Sequence, residues 1–172
     1  MEDKRGSWQP FAFEQKFGIK GTPCLELGVD GEVVRIRGVI DRVDKNENGM
    51  IRVIDYKTGG SFGDRDLVEG KRLQLPVYTK AAEEALGLGE VSDGFYWSIK
   101  AASASSLSLT KFKSERGNGV DAACKIGSEH IITNARGVRL GNFKPATPRN
   151  GCASYCPASL WCWRYQVRQN ND

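Results

Sequence analysis

Residues 33 to 57, VVRIRGVIDRVDKNENGMIRVIDYK, hold two runs rich in β-branched residues on either side of the polar, turn-forming KNENG. Stiff, branched side chains favour extended backbone, and a short Asn/Gly-rich break between two such runs reverses the chain, so this stretch predicts a β-hairpin. The strand after the turn begins with the apolar MIRVI and ends in Asp55–Tyr56–Lys57. Alternation along a strand puts Asp55 and Lys57 on one face. Charge at the end of a strand driven into the core is costly unless it has a partner or a task. On the preceding strand Asp41 shares the parity of Asp55. With the turn centred near Asn48, the two carboxylates face each other with Cβ atoms about 5 Å apart.

Two facing carboxylates repel unless a cation lies between them, and hard oxygen ligands with an incomplete shell suit Mg²⁺ or Mn²⁺. A metal held there polarises a phosphoryl oxygen and acidifies a bound water, while a neighbouring ammonium such as Lys57 positions that water or stabilises developing charge. That combination points to phosphodiester hydrolysis. Spacing alone also admits a plain surface hairpin, with Asp41, Arg42 and Asp44 exposed and Asp55–Lys57 as a weak salt bridge at its rim.

The rest of the chain frames this hairpin. FAFEQKF and CLELGV read as strands, with a turn at 28–31, so the N-terminal third is mostly sheet. TGGSFGDRD reads as a loop. Leu73, Val77, Ala81 and Ala85 recur at near-helical spacing and predict a helix over roughly 69–86, ended by Gly87. Pro76 opposes an early start, because a helix-interior proline removes a backbone hydrogen bond, and it places the start of the helix proper close to itself. VSDGFYWSIK and SLSLTKFK read as two further strands and VDAACKIGSEHIITNA as a second helix. From Gly141 onward the chain is rich in Pro, Cys and aromatics, an irregular tail held by a ligand.

With 172 residues, 40% of them hydrophobic and 27% charged, the chain suits one domain with its own core: residues 11–140, followed by the tail at 141–165. No apolar run is long enough to span a membrane, and MEDKRGSWQPF lacks an apolar signal core, so an intracellular, cytoplasmic location is expected. Residues 1–110 carry 15 basic and 17 acidic side chains and residues 111–172 carry 10 and 4, a split of −2 and +6 within the net +4. A basic final third suits a polyanionic partner, although it equally describes a solvated basic surface.

The ordered strings Gly38–Val–Ile–Asp41–Arg42–Val–Asp44, Val53–Ile–Asp55–Tyr56–Lys57–Thr58–Gly59 and Gln74–Leu–Pro–Val–Tyr78 resemble the G-x-x-D-R-x-D, D-Y-K-T-G and Q-x-x-x-Y series of the PD-(D/E)XK nuclease superfamily, in its RecB/AddB branch. The resemblance covers residues 11 to about 165. It implies an α/β, restriction-endonuclease-like fold: a mixed central sheet flanked by helices, with an irregular cysteine-rich tail. By the same resemblance Asp41 and Asp55 are metal ligands, Tyr56 lends its backbone carbonyl, and Lys57 serves the attacking water. Gln74 and Tyr78, four apart and so on one helix face, stand beside the site and help hold Lys57 or the DNA backbone; each is also an ordinary packing residue by position. Glu14 matches an upstream glutamate of the family, and a solvated Glu is the alternative. The family's upstream histidine has no counterpart, because the one histidine, His130, falls on a later helix and reads as a surface or partly buried helix residue.

Cys152, Cys156 and Cys162 crowd into eleven residues, and soft thiolates so spaced hold Zn²⁺ or an iron–sulfur cluster when they are not simply buried thiols. The tail is similar to the cysteine cluster that binds [4Fe–4S] in AddB-like nucleases, whose fourth cysteine lies N-terminal to the core; neither Cys24 nor Cys124 matches that place, although either could substitute if the fold brings it near. The unmatched histidine and cysteine together predict a domain excised from a longer protein. The function implied is a metal-dependent deoxyribonuclease, an exonuclease by expectation, acting on DNA with a helicase domain or subunit. The competing readings are a catalytically inactive, nuclease-derived DNA-binding or scaffolding module and a small zinc-binding interaction domain. No Walker-type glycine loop is present, so the chain is not the ATP motor.

Overall fold

The β-hairpin forms as its sequence dictates and sits at the centre of the sheet. The structure is a computed structural model that describes residues 7–29, 31–60, 63–144, 147 and 151–166. Residue 30 of the expected turn at 28–31, residues 61 and 62 of the loop, and residues 145–146 and 148–150 of the tail lie outside the described residues. The chain divides into two compact units, Met1–Ala135 and Arg136–Asp172.

In the first unit, strand β1 (Gln9–Phe17) pairs antiparallel with β4 (Gly38–Lys45), and β4 with β5 (Ile51–Lys57). Strand β6 (Val91–Ser98) joins β5 in parallel, and β7 (Ser103–Ser108) closes the order β1-β4-β5-β6-β7. Parallel pairing demands a crossover, and the helical segments between β5 and β6 supply it. A separate hairpin joins β2 (Leu25–Val29) to β3 (Glu32–Ile36), so residues 33–36 belong to it and not to the central pair. The turn of the central hairpin is built by Asn46, whose Oδ1 accepts from the backbone N–H of Asn48 and Met50, and by Gly49 at φ +81°.

The helix expected over 69–86 is two elements with a short one before them. Helix α1 (Asp64–Val68) is a single turn with Asp64 and Asp66 at its positive end. Helix α2 (Gln74–Lys80) begins two residues before Pro76, which occupies the first turn, where a missing N–H costs nothing. A π-helical turn, Ala81–Ala85, continues it, and Gly87 follows at φ +60°. Strand β7 lies three residues earlier than SLSLTKFK implies. Leu109–Lys111 form a 3₁₀ turn whose Leu109 is fully buried, and the short β8 (Lys113–Ser114) and β9 (Gly117–Asn118) make a small hairpin before α3 (Gly119–Arg139).

Two apolar clusters form beside the sheet. One joins Phe17, Leu25, Ile40, Val43, Ile51 and Val53 to Ala81 and Ala82, and the other joins Tyr96 and Leu107 to Leu67, Leu75, Ala123 and Ile126. Helix α2 supplies Leu75 to the second and Val77 and Tyr78 to the margin of the first, which fixes it against β5 and β6. Close approach of α3 to α2 needs Gly127, where a Cβ would stand 2.6 Å from Pro76. In the second unit, residues 151–166 are mostly turns, with the backbone N–H of Cys152 donating to Gln166 and that of Cys162 to Ala158. Among the described residues no helix is long and apolar enough to cross a membrane.

Candidate active site

Backbone pairing of β4 and β5 runs from Lys45↔Ile51 to Arg42↔Ile54 and ends there. One step further in that register Asp41 stands opposite Asp55. At this step the strands exchange a side-chain bond instead of a ladder bond: the N–H of Tyr56 donates to Asp41 Oδ2 at 2.9 Å. The hairpin thus opens at its acidic residues while one carboxylate stays tied to the facing backbone.

Asp55 is 1% exposed and Lys57 Nζ lies 2.5 Å from its Oδ2. Among the described residues the Lys57 ammonium is the one partner of Oδ2, and Oδ1 has none. The ammonium is also directed at Gln74 Oε1, at 2.8 Å. Burial pushes the Asp55 carboxyl above its ordinary range; Lys57 opposes the rise and the nearby Asp41 charge adds to it. A buried carboxylate short of donors is an expensive group, and a bound cation would offset that cost.

Gln74 opens α2 and orients two groups at once. Its Oε1 accepts from Lys57 and its Nε2 donates to the Tyr78 hydroxyl at 2.8 Å, one helical turn later. Burial raises the Tyr78 phenol above its usual value, and the Asp55, Asp41 and Glu14 carboxylates add to the rise against the Gln74 bond. Glu14 lies between the pairs Phe13↔Arg42 and Gln15↔Ile40, hence opposite Asp41, and adopts φ +49°, a conformation non-glycine residues rarely hold.

Five residues singled out from the sequence, Asp41, Asp55, Lys57, Gln74 and Tyr78, come together, whereas Glu14 is exposed on β1 and no hydrogen bond or ion pair ties it to them among the described residues. Tyr56 stands among them through its backbone N–H, and its side chain serves elsewhere. His130 is a half-buried residue of α3 whose Nε2 lies 2.9 Å from the Val68 carbonyl oxygen, packed so closely under Gly70 that a Cβ there would meet its ring at 2.7 Å. Tyr96 carried no signal of its own within VSDGFYWSIK. It lies across the parallel ladder from Asp55, is 1% exposed, and its ring centroid is 5.4 Å from Lys57 Nζ, a floor for the ammonium. Burial, with the Asp55 charge, pushes its phenol to about 12.

Among the described residues no three His, Cys, Asp or Glu side chains converge on one ion position. The hairpin nonetheless fits a small hard cation. Mg²⁺ keeps several waters and takes only one or two carboxylates, and the Asp55 oxygens are buried, anionic and short of donors. In the tail, Cys152 is buried and Cys156 and Cys162 are half-buried free thiols. They are soft donors in suitable number, but they are not gathered into a site.

Known proteins give the same region a context. The profile of the PD-(D/E)XK nuclease superfamily matches residues 1–163. Over 88 residues, 48% of this chain and 8% of the relative, the chain is 41% identical to an ATP-dependent helicase/deoxyribonuclease subunit of Clostridioides difficile. It is 45% identical over 83 residues to the protein of the same name from Clostridium tetani, covering 45% of this chain and 7% of the relative. The Moorella thermoacetica protein is 38% identical over 98 residues, 52% of this chain and 8% of its own length. The chain thus matches less than a tenth of each of these relatives.

Proposed function

The chain belongs to the PD-(D/E)XK nuclease superfamily, and from that premise we propose that it is the nuclease domain of a DNA repair or recombination helicase–nuclease, hydrolysing phosphodiesters of DNA with a divalent metal. The observation that carries this reading is the buried Asp55 carboxylate, short of donors and 2.5 Å from the Lys57 ammonium. Asp41, Asp55 and the Tyr56 carbonyl would hold Mg²⁺ or Mn²⁺. When bound, such a cation acidifies a water and neutralises charge on the phosphoryl oxygens.

The side chains of the protein divide the remaining work. Lys57 is held by Gln74 Oε1 and floored by Tyr96, so its ammonium is oriented before substrate arrives and need not reorganise to meet charge developing on the attacked phosphate. Tyr78 already accepts from Gln74, which leaves its own O–H to donate into the acidic centre or to a DNA phosphate oxygen. Glu14 adds a carboxylate at the same edge. Exonucleolytic action, a helicase as partner, whether a fused domain or a separate subunit, and a single domain comprising core and tail complete the reading. For the tail we assign Cys152, Cys156 and Cys162 to a [4Fe–4S] or zinc centre whose remaining ligand comes from outside these three. No catalytic step is assigned to that centre.

Cleavage of single- and double-stranded DNA with Mg²⁺ or Mn²⁺ tests the reading beside metal and DNA titrations. Lys57→Ala should lose roughly 10²–10³ in rate, as expected for one transition-state contact, while keeping metal and DNA affinity; Asp55→Ala should lose metal and cleavage together. A Lys57→Ala protein that cuts at the parent rate removes this mechanism. A folded, DNA-binding parent with no metal-dependent cleavage identifies an inactive scaffolding module instead.

A further inference from the structure

Half of the Asp41–Arg42–Val43–Asp44 string plays no part in the site described above. Asp44 is fully buried, yet it points away from the acidic centre. It accepts from Arg42 Nε (2.5 Å, to Oδ1) and Nη2 (3.1 Å, to Oδ2), and its Oδ2 also accepts from Arg52 Nε (3.0 Å) and Nη2 (2.8 Å). Aromatic rings line the two guanidinium groups: Arg52 lies 4.9 Å from the Trp8 centroid and 5.7 Å from that of Phe95, and Arg42 lies 5.7 Å from that of Phe13. The third nitrogen of Arg42, Nη1, reaches the Tyr56 hydroxyl at 3.1 Å.

The place of that last bond gives it meaning. The β4–β5 ladder ends at Arg42↔Ile54, so nothing in the regular pairing fixes the separation of the strands at Asp41, Asp55 and Tyr56. Two links span the gap. In front, the Tyr56 N–H is bound to Asp41; behind, the Tyr56 hydroxyl is bound to Arg42. A fully buried aspartate held between two half-buried arginines is a costly way to fill a sheet face if stability is its whole purpose. It is a good way to immobilise a guanidinium, because the bidentate Asp44 contact sets the plane of Arg42.

We propose that Arg42, immobilised by Asp44, is a positioning residue that acts through the Tyr56 hydroxyl to set the spacing of Asp41, Asp55 and the Tyr56 main chain, and thereby the affinity and size selectivity of the divalent-cation site. The inference rests on the metal-site reading given above. It differs from a purely structural role in one respect. A loosened strand gap penalises an ion that requires strict octahedral geometry more than one that tolerates irregular shells, so Mn²⁺ and Mg²⁺ should suffer more than Ca²⁺.

Tyr56→Phe is the decisive variant, since it deletes one hydroxyl and leaves the backbone and the Asp44 group in place. Direct Mn²⁺ titration of the full chain, followed by the resonance of free Mn²⁺, and Ca²⁺ competition give both affinities, with circular dichroism to check folding. Removing a group that orients metal ligands typically costs about 10–100-fold in metal affinity, and a loss of about tenfold for Mn²⁺ with a smaller loss for Ca²⁺ is expected. Arg42→Lys, too short and lacking the fork to hold Asp44 and Tyr56 together, should not rescue. Adding Tyr56→Phe to Arg42→Lys should cost nothing more. Parent-like Mn²⁺ affinity in Tyr56→Phe, while Asp55→Ala abolishes binding, overturns this inference and leaves the metal site standing; a parent chain that binds no Mn²⁺ overturns both.

Discussion

Replacing Asp55 by Asn should make the metal-free protein more stable. The carboxylate is 1% exposed, and among the described residues its Oδ1 has no donor while its Oδ2 has the Lys57 ammonium alone. Each unsatisfied buried polar atom costs about 1–3 kcal/mol. Lys57 offsets part of that cost at 2.5 Å, but its ammonium is already directed at Gln74 and is partly open to solvent, so losing Asp55 does not strand it. The direction of the Asp55 shift decides which effect wins. Its folded pKa is raised, so the fold disfavours the charged form, and this penalty grows as pH climbs through the ordinary aspartate range toward the folded value. At neutral pH a nearly isosteric neutral side chain escapes it. Because the amide sheds the charge but keeps two buried polar atoms, we expect a net gain at the low end of that per-atom cost, about 1 kcal/mol, and for a domain of this size a rise in melting temperature of roughly 2–4 °C per kcal/mol. Thermal denaturation in chelator at pH 7 reads the gain, and added Mg²⁺ should stabilise the parent while leaving Asp55→Asn unchanged. If Asp55→Asn instead melts lower by the amount typical of a broken buried ion pair, about 3–5 kcal/mol, Asp55–Lys57 is a structural bridge and the reasoning fails.

Gln74→Ala should lower kcat by roughly 10–100-fold with little change in metal affinity, since it removes one bond to a charged ammonium worth about 1.5–3 kcal/mol; equal kcat in steady-state cleavage would show that Lys57 is oriented without it. Burial pushes the Cys124 thiol to about 12, so iodoacetamide at pH 8 should modify Cys24, Cys156 and Cys162 well before Cys124 in the native protein, as peptide mass mapping reads. The stability held by that neutral thiol is complete below about pH 9 and declines as pH rises from there toward 12, so denaturant midpoints should fall on the alkaline side and Cys124→Ser should flatten that limb. Three thiolates leave one iron of a [4Fe–4S] cluster without a protein sulfur, so anaerobically purified chain should hold iron and sulfide substoichiometrically; stable full loading would bring in Cys24, Cys124 or another ligand.

The hairpin and the carboxylate–lysine group were legible because each follows from local rules. Alternation orients Asp55 and Lys57, an Asn/Gly turn sets the register that faces Asp41 with Asp55, and helical periodicity puts Gln74 and Tyr78 on one face. What escaped depends on contacts remote in sequence. Tyr96 reaches Lys57 only through the parallel β5–β6 pairing, which no local pattern encodes. Strand β7, SASSLS, offers no apolar alternation and is extended because β6 pairs with it, while Leu109, which made SLSLTKFK look like a strand, packs into the second cluster from a 3₁₀ turn. Helix α1 is too short for any periodicity to show. Arg42 and Asp44 were visible as parts of a motif, but the ion-pair group they form with Arg52 on the other side of the strands becomes apparent only once the strands are paired.

The most direct measurement of the central claim is the position of Mn²⁺ by anomalous scattering in crystals of this chain. One peak is expected about 2 Å from an oxygen of Asp41, an oxygen of Asp55 and the Tyr56 carbonyl, completed by waters, with Lys57 still bound to Gln74. A well-ordered site at which Asp41 and Asp55 point to opposite faces of the sheet, or a peak confined to other carboxylates, would contradict it.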